Sequence, residues 1–330
     1  MEATSLKGNK KEVLGEKIKK HVYSLGVVFS LILLCIVMTI LTPRFLTVTN
    51  LMNVAGQAAI NSIISIGMFL AIMTSGIDLS VGSVLALSTM FMGLFAKTFN
   101  VNPYLALLSC LAIGTMIGLF NGLLLTKLRL PHPFISTMGT KQMARALCLV
   151  VTGTQPVYQF KKPIVFLGNA NIGPMPVSFL LVAALYVVMF IFLTRTRTGR
   201  HIYAVGGNKE ASRLSGIRVD NILNLVYAMS GFFAALAGIV LVGRVDTAYP
   251  LAGMDYETDA IAAVIIGGAS FFGGVGRIGN TIVGVLIIAV LRNGLNLIGV
   301  SSAWQTFSVG AVIIVAVYID VLRQRVMKQK

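Results

Sequence analysis

Charge is what this sequence has least of. Only 12% of its 330 residues are Asp, Glu, Lys or Arg, about half the share of an average soluble domain. The scarcity leaves uncharged stretches of 18 residues or more at 22–43, 45–77, 79–96, 98–126, 163–194, 221–243 and 293–319. About 20 apolar residues cross the roughly 30 Å hydrocarbon core as a helix, so a soluble enzyme and a disordered chain are excluded. β-Barrel strands alternate in short segments, a pattern these runs lack. The 11 acidic residues are sparser still. None lies well inside a run: Asp78 and Asp259 fall at run ends and Asp320 closes the last, which argues against a proton relay and against catalysis by paired carboxylates. Cys35, Cys110 and Cys148 sit in apolar stretches as small buried hydrophobes, without Cys-x-x-Cys or metal spacing. His21, His132 and His201 are far apart and form no metal motif. No Gly-x-x-x-x-Gly-Lys-Ser/Thr phosphate loop occurs, so ATP is not bound by that route. Gly274, Gly276 and Gly279 do spell Gly-x-Gly-x-x-Gly. A dinucleotide site needs a βαβ unit around that pattern, and between two apolar runs it reads as a tight turn with close helix packing.

What is present is apolar surface: 56% of residues are hydrophobic and the mean hydropathy is +0.86. Only helices satisfy every backbone hydrogen bond within lipid without closing a barrel, so the expected fold is all-α, a polytopic membrane protein of about ten transmembrane helices. The spans are predicted at 22–42, 51–75, 79–96, 103–126, 133–153, 175–194, 221–243, 258–276, 278–298 and 300–319. The fifth and eighth are weak enough to be broken or re-entrant. The first run is longer than a signal-peptide core of 7–15 residues and is expected to be retained. The net charge of +16 is then a record of topology. Nineteen Lys and Arg fall on one side of the spans and five on the other, with Lys141, Arg145 and Arg292 inside. Cations concentrate on the cytoplasmic side, so both termini are expected inside, and no nucleic-acid partner is needed to explain the charge. The organisation expected is a basic cytoplasmic tail at 1–21, one transmembrane domain at 22–320 with a cytoplasmic loop at 195–220, and a second basic tail at 321–330. Trp304, the only tryptophan, suits the interfacial aromatic belt.

Several segments carry more than hydropathy. In the loop 195–220, Gly206-Gly207 reads as a chain break and Asn208 as the N-cap of a short helix. Glu210 lies in its first turn, Arg213 toward its end, and Gly216 at the C′ position. Leu214 is apolar, and so short a helix is marginal alone, so it needs a surface: the bilayer, neighbouring loops or a partner protein. At 74–84, Asp78 can cap the third span and Ser80 lies in its first turn; a hairpin suffices physically, and a gate or lining element is the functional reading. Gly114, Gly118 and Gly122 form a smooth stripe for close helix approach. Lys141 and Arg145 share one face of the fifth span, and Arg292, Asn293 and Asn296 lie near one face of the ninth. A cation facing lipid costs about 2.5–3.5 kcal/mol at a helix centre, so these residues, with Gln57, Asn61, Ser62 and Ser65 in the second span, are candidates for a hydrophilic path. The alternative is that they hydrogen-bond neighbouring helices. The segment 244–259 groups Asp246, Asp255, Glu257 and Asp259 beside Arg244, either as a solvated outer loop or as an entrance or docking surface.

Taken together, GIDLSVGS at 76–83, GRHIYAVGGNKEASRLSGI at 199–217, YETDAIAAVIIGGASFFGGVGRIGNTIVG at 256–284 and GLNLIGVSSAWQ at 294–305 resemble the ribose-type sugar permeases, the membrane subunits of bacterial ABC importers. The resemblance covers nearly the whole chain from the first span onward. It implies a multi-pass cell-membrane protein that works as a pair of permease subunits, a homodimer or two close homologues. Its implied partners are cytoplasmic ATPase cassettes, which carry the ATP and Mg, and an extracytoplasmic sugar-binding protein. It casts Gly199, Arg200, Gly206, Gly207, Asn208, Glu210, Arg213, Leu214 and Gly216 as the ATPase-coupling segment. Gln57, Asn61, Asp78, Ser80, Arg145, Asn293 and Asn296 become path or gate candidates, and Arg244, Asp255, Glu257 and Asp259 docking or entrance candidates. No catalytic residue, metal or cofactor of its own is expected. Ser75, Lys141, Ala146 and Arg292 depart from the family's usual residues, Ser75 standing where a Gly often does. Ribose is the family's default solute, with allose, galactose and xylose as alternatives. The competing class is an ion-coupled secondary carrier.

Overall fold

The computed structural model describes residues 26–328 except residue 174, with side chains described through residue 322. The basic tail expected at 1–21 lies outside the described residues, as do the side chains of most of the tail at 321–330. The chain forms α1 (Gly26–Leu41), α2 (Val48–Met73), α3 (Val81–Lys97), α4 (Pro103–Thr126), α5 (Pro133–Val151), α6 (Lys162–Asn169) and α7 (Val177–Arg195). It continues with α8 (Arg197–Gly207), α9 (Lys209–Leu214), α10 (Val219–Val245), α11 (Tyr256–Ile266), α12 (Ile278–Leu297) and α13 (Ser302–Lys328). Two small antiparallel ribbons cross between helix ends: β1 (Val157–Tyr158) pairs with β4 (Thr247–Ala248), and β2 (Asn171–Ile172) with β3 (Met175–Pro176).

Among the described residues, six helices are long and apolar enough to cross a membrane: α2, α4, α7, α10, α12 and α13. The described parts of α1 and α3 are shorter apolar helices. Each predicted span coincides with a helix, and the differences have physical causes. The segment 258–276 is helical only to Ile266. Gly268, Gly273 and Gly274 then take positive φ angles of 87°, 86° and 69°, a region glycine enters freely, and the remainder is a folded loop. The fifth segment, by contrast, runs unbroken from Pro133 to Val151 despite Lys141 and Arg145. Helix α6 lies in what sequence alone left as a connection.

α2 and α10 form the buried centre. Ile63, Ile66, Phe69 and Ile72 of α2, and Val226, Tyr227, Ala234 and Ala237 of α10, are enclosed on all sides. The glycine stripe explains how α4 reaches α10. A Cβ on Gly118 would collide with the Tyr227 carbonyl, one on Gly114 with Gly231, and one on Gly122 with the Asn224 backbone. The contact is therefore within one chain. Backbones this close gain dispersion along their whole length, the main attractive term when lipid is as apolar as the side chains. A second core joins α1, α11, α12 and α13 through Met38, Ala262, Val285, Ile288 and Val309.

Candidate functional site

At the end of the bundle where α10 and α12 finish and α11 begins lies a cavity of about 360 Å³, within the range of small-molecule sites. Its polar wall is Gln57 and Asn61 from α2, Arg244 from α10, Asp255 and Asp259 at the start of α11, and Arg292 from α12. Tyr249 and Tyr256 add amphipathic surface, and Ile60, Leu241, Val245 and Met254 apolar surface. Arg292 donates from Nε and Nη2 to Oδ1 of Asp259, at 3.1 and 2.6 Å. Arg244 is less satisfied. Its Nη2 reaches the Asn53 carbonyl at 3.4 Å, while Nη1 is buried against Gly56 without a hydrogen-bond partner among the described residues. Two arginines face two aspartates, so the wall is polar but carries no net charge.

The acidic segment is solvated only in part: Asp246 and Asp255 are exposed, and the reading is corrected for Glu257 and Asp259. Glu257 and Asp259 are each 3% exposed and sit in the first turn of α11, where the helix dipole favours anions. Lys141 of α5 pairs with Glu257 on one side and Arg292 of α12 with Asp259 on the other. Both carboxylates lie at the start of a helix, where a run end was expected, but they are enclosed by the bundle. The burial of Glu257 and Asp259 also removes them from any docking surface; only Arg244, Asp255 and Asp259 of that group reach the cavity. Arg145 serves the same region indirectly. Its Nη1 donates to the carbonyls of Pro250 and Ala252 at 2.6 and 2.9 Å, fixing the segment before α11.

Asp78 and Ser80 belong to a different place. Asp78 is 1% exposed. Its Oδ1 accepts from the Ser80 N–H at 2.9 Å and the Ser80 hydroxyl at 2.6 Å, and its Oδ2 from Ser230 at 2.7 Å. Asn121 donates to Ser80 at 2.9 Å and Thr140 to Asn121 at 2.6 Å. This chain of bonds ties α3, α4, α5 and α10 together and has no access to the cavity. Asn293 likewise does not line the cavity: it exchanges amide hydrogen bonds with Asn50, both 2.9 Å, joining α12 to α2. Asn296 is exposed. Tyr249, Met254 and Tyr256 were missed by sequence reasoning, although YPLAGMDYETD shows aromatic residues interleaved with acidic ones.

At the opposite end, α8 packs Gly199, Ile202, Val205 and Gly206 into the bundle, and α9 follows it. Thr196 caps α8 by accepting from the Gly199 N–H at 3.0 Å, placing Gly199 and Arg200 in its first turns. Gly206-Gly207 does not break the chain, a second correction. Both lie in the last turn of α8; a Cβ on Gly206 would strike the Met73 carbonyl of α2, so that glycine serves close approach, while Gly207 faces open space. The break comes at Asn208, whose backbone is extended and which ends α8 while capping α9: its side chain accepts from the Ala211 N–H at 2.9 Å. Gly216, at φ +81°, closes α9, with its N–H donating to Arg213 and that of Ile217 to Ser212. Arg213 pairs with Glu210 at 2.8 Å in the open. Burial and the nearby Arg213 cation hold Lys209 below the usual lysine range. Leu214 is 90% exposed, an apolar side chain on a capped helix with nothing over it.

A polar cavity at one end of an apolar helical bundle and a presented helix at the other define a membrane transport subunit. Residues 50–317 match the family described as the branched-chain amino acid transport system / permease component. The chain belongs to that family, as a ribose-type sugar permease of the ABC-importer class and a multi-pass inner-membrane protein. It is 42% identical over 303 residues to a ribose import permease of Bacillus subtilis, covering 90% of this chain and 92% of the relative. It is 42% identical over 299 residues to a D-allose transport system permease of Escherichia coli, covering 89% and 90%. It is 35% identical over 316 residues to a galactose/methyl galactoside import permease of the same species, covering 90% and 94%. These relatives are transport subunits, not enzymes. No solved structure matches.

Proposed function

We propose that the chain is the translocation subunit of an ATP-driven importer for an uncharged monosaccharide, a ribose-like pentose or a hexose. The observation that carries this is the charge-balanced cavity. Two amides, two tyrosines and two Arg/Asp sets offer hydrogen-bond donors and acceptors for hydroxyls, and no surplus charge to hold an ion. In this reading ten helices cross the membrane with both termini cytoplasmic. α9 seats in a separate ATPase subunit that binds ATP and Mg, and an extracytoplasmic binding protein delivers sugar at the cavity end, close to Asp255. A second permease, identical or closely homologous, completes the pathway. Alternating access then follows from ATPase closure moving α8 and α9 while the binding protein opens the other end.

The buried carboxylates are the one observation favouring an ion-coupled carrier. Each is already matched: Glu257 by Lys141, Asp259 by Arg292, Asp78 by two serines. Reconstitution into proteoliposomes with candidate ATPase and binding-protein subunits separates the readings. Uptake of labelled ribose, allose or galactose that requires ATP inside, and is indifferent to an imposed proton or sodium gradient, is the expected result. Uptake by the chain alone on such a gradient would overturn the proposal.

A further inference from the structure

Three segments meet at the end of α2 that faces α8: the α2 terminus itself, the last turn of α8, and the glycine loop between α11 and α12. The Gly274 N–H donates to the Met73 carbonyl at 3.1 Å. A Cβ on Gly206 would collide with that same carbonyl, and one on Gly273 with the Ser75 hydroxyl. Ser75 stands at the centre. Its φ of 59° is left-handed, a conformation that costs any L-residue with a Cβ and costs glycine nothing. What the serine adds is a hydroxyl with two acceptors in reach, the Gly206 carbonyl at 2.9 Å and the Phe272 carbonyl at 2.7 Å. A hydroxyl has one proton to donate, so it bonds α8 or the glycine loop, and a small displacement of either decides which.

Each segment leads to the cavity or to α9. α8 ends at Asn208, the residue that begins α9. The loop joins α11, bearing Asp259, to α12, bearing Arg292. α2 carries Asn61 twelve residues before its end at Met73, about 18 Å along a helix at 1.5 Å per residue. We propose that Ser75 is a positioning residue for coupling: its hydroxyl exchanges between the Gly206 and Phe272 carbonyls as α8 moves, so that displacement of α9 is passed to the helices walling the cavity. This rests on the reading that α9 docks an ATPase. The physical warrant is the two-acceptor geometry, which offers the hydroxyl two arrangements, one on each segment.

The test measures sugar moved per ATP hydrolysed, in the reconstituted complex, for Ser75→Gly and Ser75→Ala. Both remove the hydroxyl, but Gly relieves the left-handed strain and Ala keeps it. A structural role alone predicts that the two diverge, Gly behaving like the parent protein. The coupling role predicts that both lose about fivefold or more in sugar per ATP, the lower bound of typical coupling energies, while Ser75→Gly retains or gains thermal stability. If Ser75→Gly keeps the parent ratio, the proposal is overturned. Arg213→Glu on α9 isolates the underlying reading. If that variant lowers the ratio and Ser75→Gly does not, only the Ser75 role fails. If Ser75→Gly lowers it and Arg213→Glu leaves ATPase binding and uptake intact, the hydroxyl couples but α9 is not the docking element.

Discussion

Arg292→Gln leaves Asp259 as a carboxylate only 3% exposed, without its cation. Removing one member of a buried ion pair typically costs about 3–5 kcal/mol. The lower end applies here, because the Arg292 side chain is itself 24% exposed toward the cavity. A loss of about 3 kcal/mol at roughly 2 °C per kcal/mol in a chain of this size lowers the apparent melting temperature by about 6 °C. The comparison is internal. Glu210→Gln breaks the Arg213 pair, whose side chains are 53% and 77% exposed, and exposed pairs contribute under about 1 kcal/mol, so that variant should melt with the parent. Adding Asp259→Asn to Arg292→Gln removes both charges and should restore most of the loss, since neutral replacement of a buried pair is often tolerated. The assay is thermal unfolding of detergent-purified protein followed by size-exclusion chromatography. An Arg292→Gln melting point within about 1 °C of the parent, or a double variant no more stable than the single, refutes the view that these charges compensate one another inside the bundle.

Gly118→Ala drives a methyl into the Tyr227 carbonyl; overpacking of this kind costs about 1–3 kcal/mol or more, and the yield of monodisperse protein should fall sharply. Asn208→Ala removes the cap of α9, worth about 1 kcal/mol, and should speed amide exchange across 209–214 while leaving exchange in α2 and α10 unchanged. Gln57→Ala strips one cavity amide and should raise the sugar concentration for half-maximal uptake several-fold with little change in melting temperature; an unchanged uptake curve would remove Gln57 from the path.

Where the physics is local, the sequence was legible. The cap at Asn208 and the closing glycine at 216 depend on residues three to five apart, and both are where spacing put them. The stripe Gly114–Gly118–Gly122 announced a close helix partner, though its identity as α10 depends on residues about 110 positions away. Long-range pairing was the main loss. Asp255–Asp259 reads as a polar loop until Lys141 and Arg292 arrive from α5 and α12, and nothing adjacent in the chain announces them. The cations within apolar runs were the usable signal: Lys141 and Arg292 find counter-charges in the acidic segment, and Arg145 finds carbonyls just before it. Gly206-Gly207 misled for a related reason: a glycine pair is both a breaker and the thinnest possible contact surface, and only the Met73 carbonyl decides between them.

The paired charges around the cavity have an electrical consequence. Moving one elementary charge across a membrane potential of 100 mV takes about 2.3 kcal/mol. The cavity wall sets two arginines against two aspartates, and the monosaccharide proposed above brings no charge of its own to move. As long as the wall residues shift together when access switches from one face to the other, their displacement charges cancel. Turnover of such a carrier is decoupled from voltage, and a cell could run it at the same rate whether its membrane is polarised or nearly discharged.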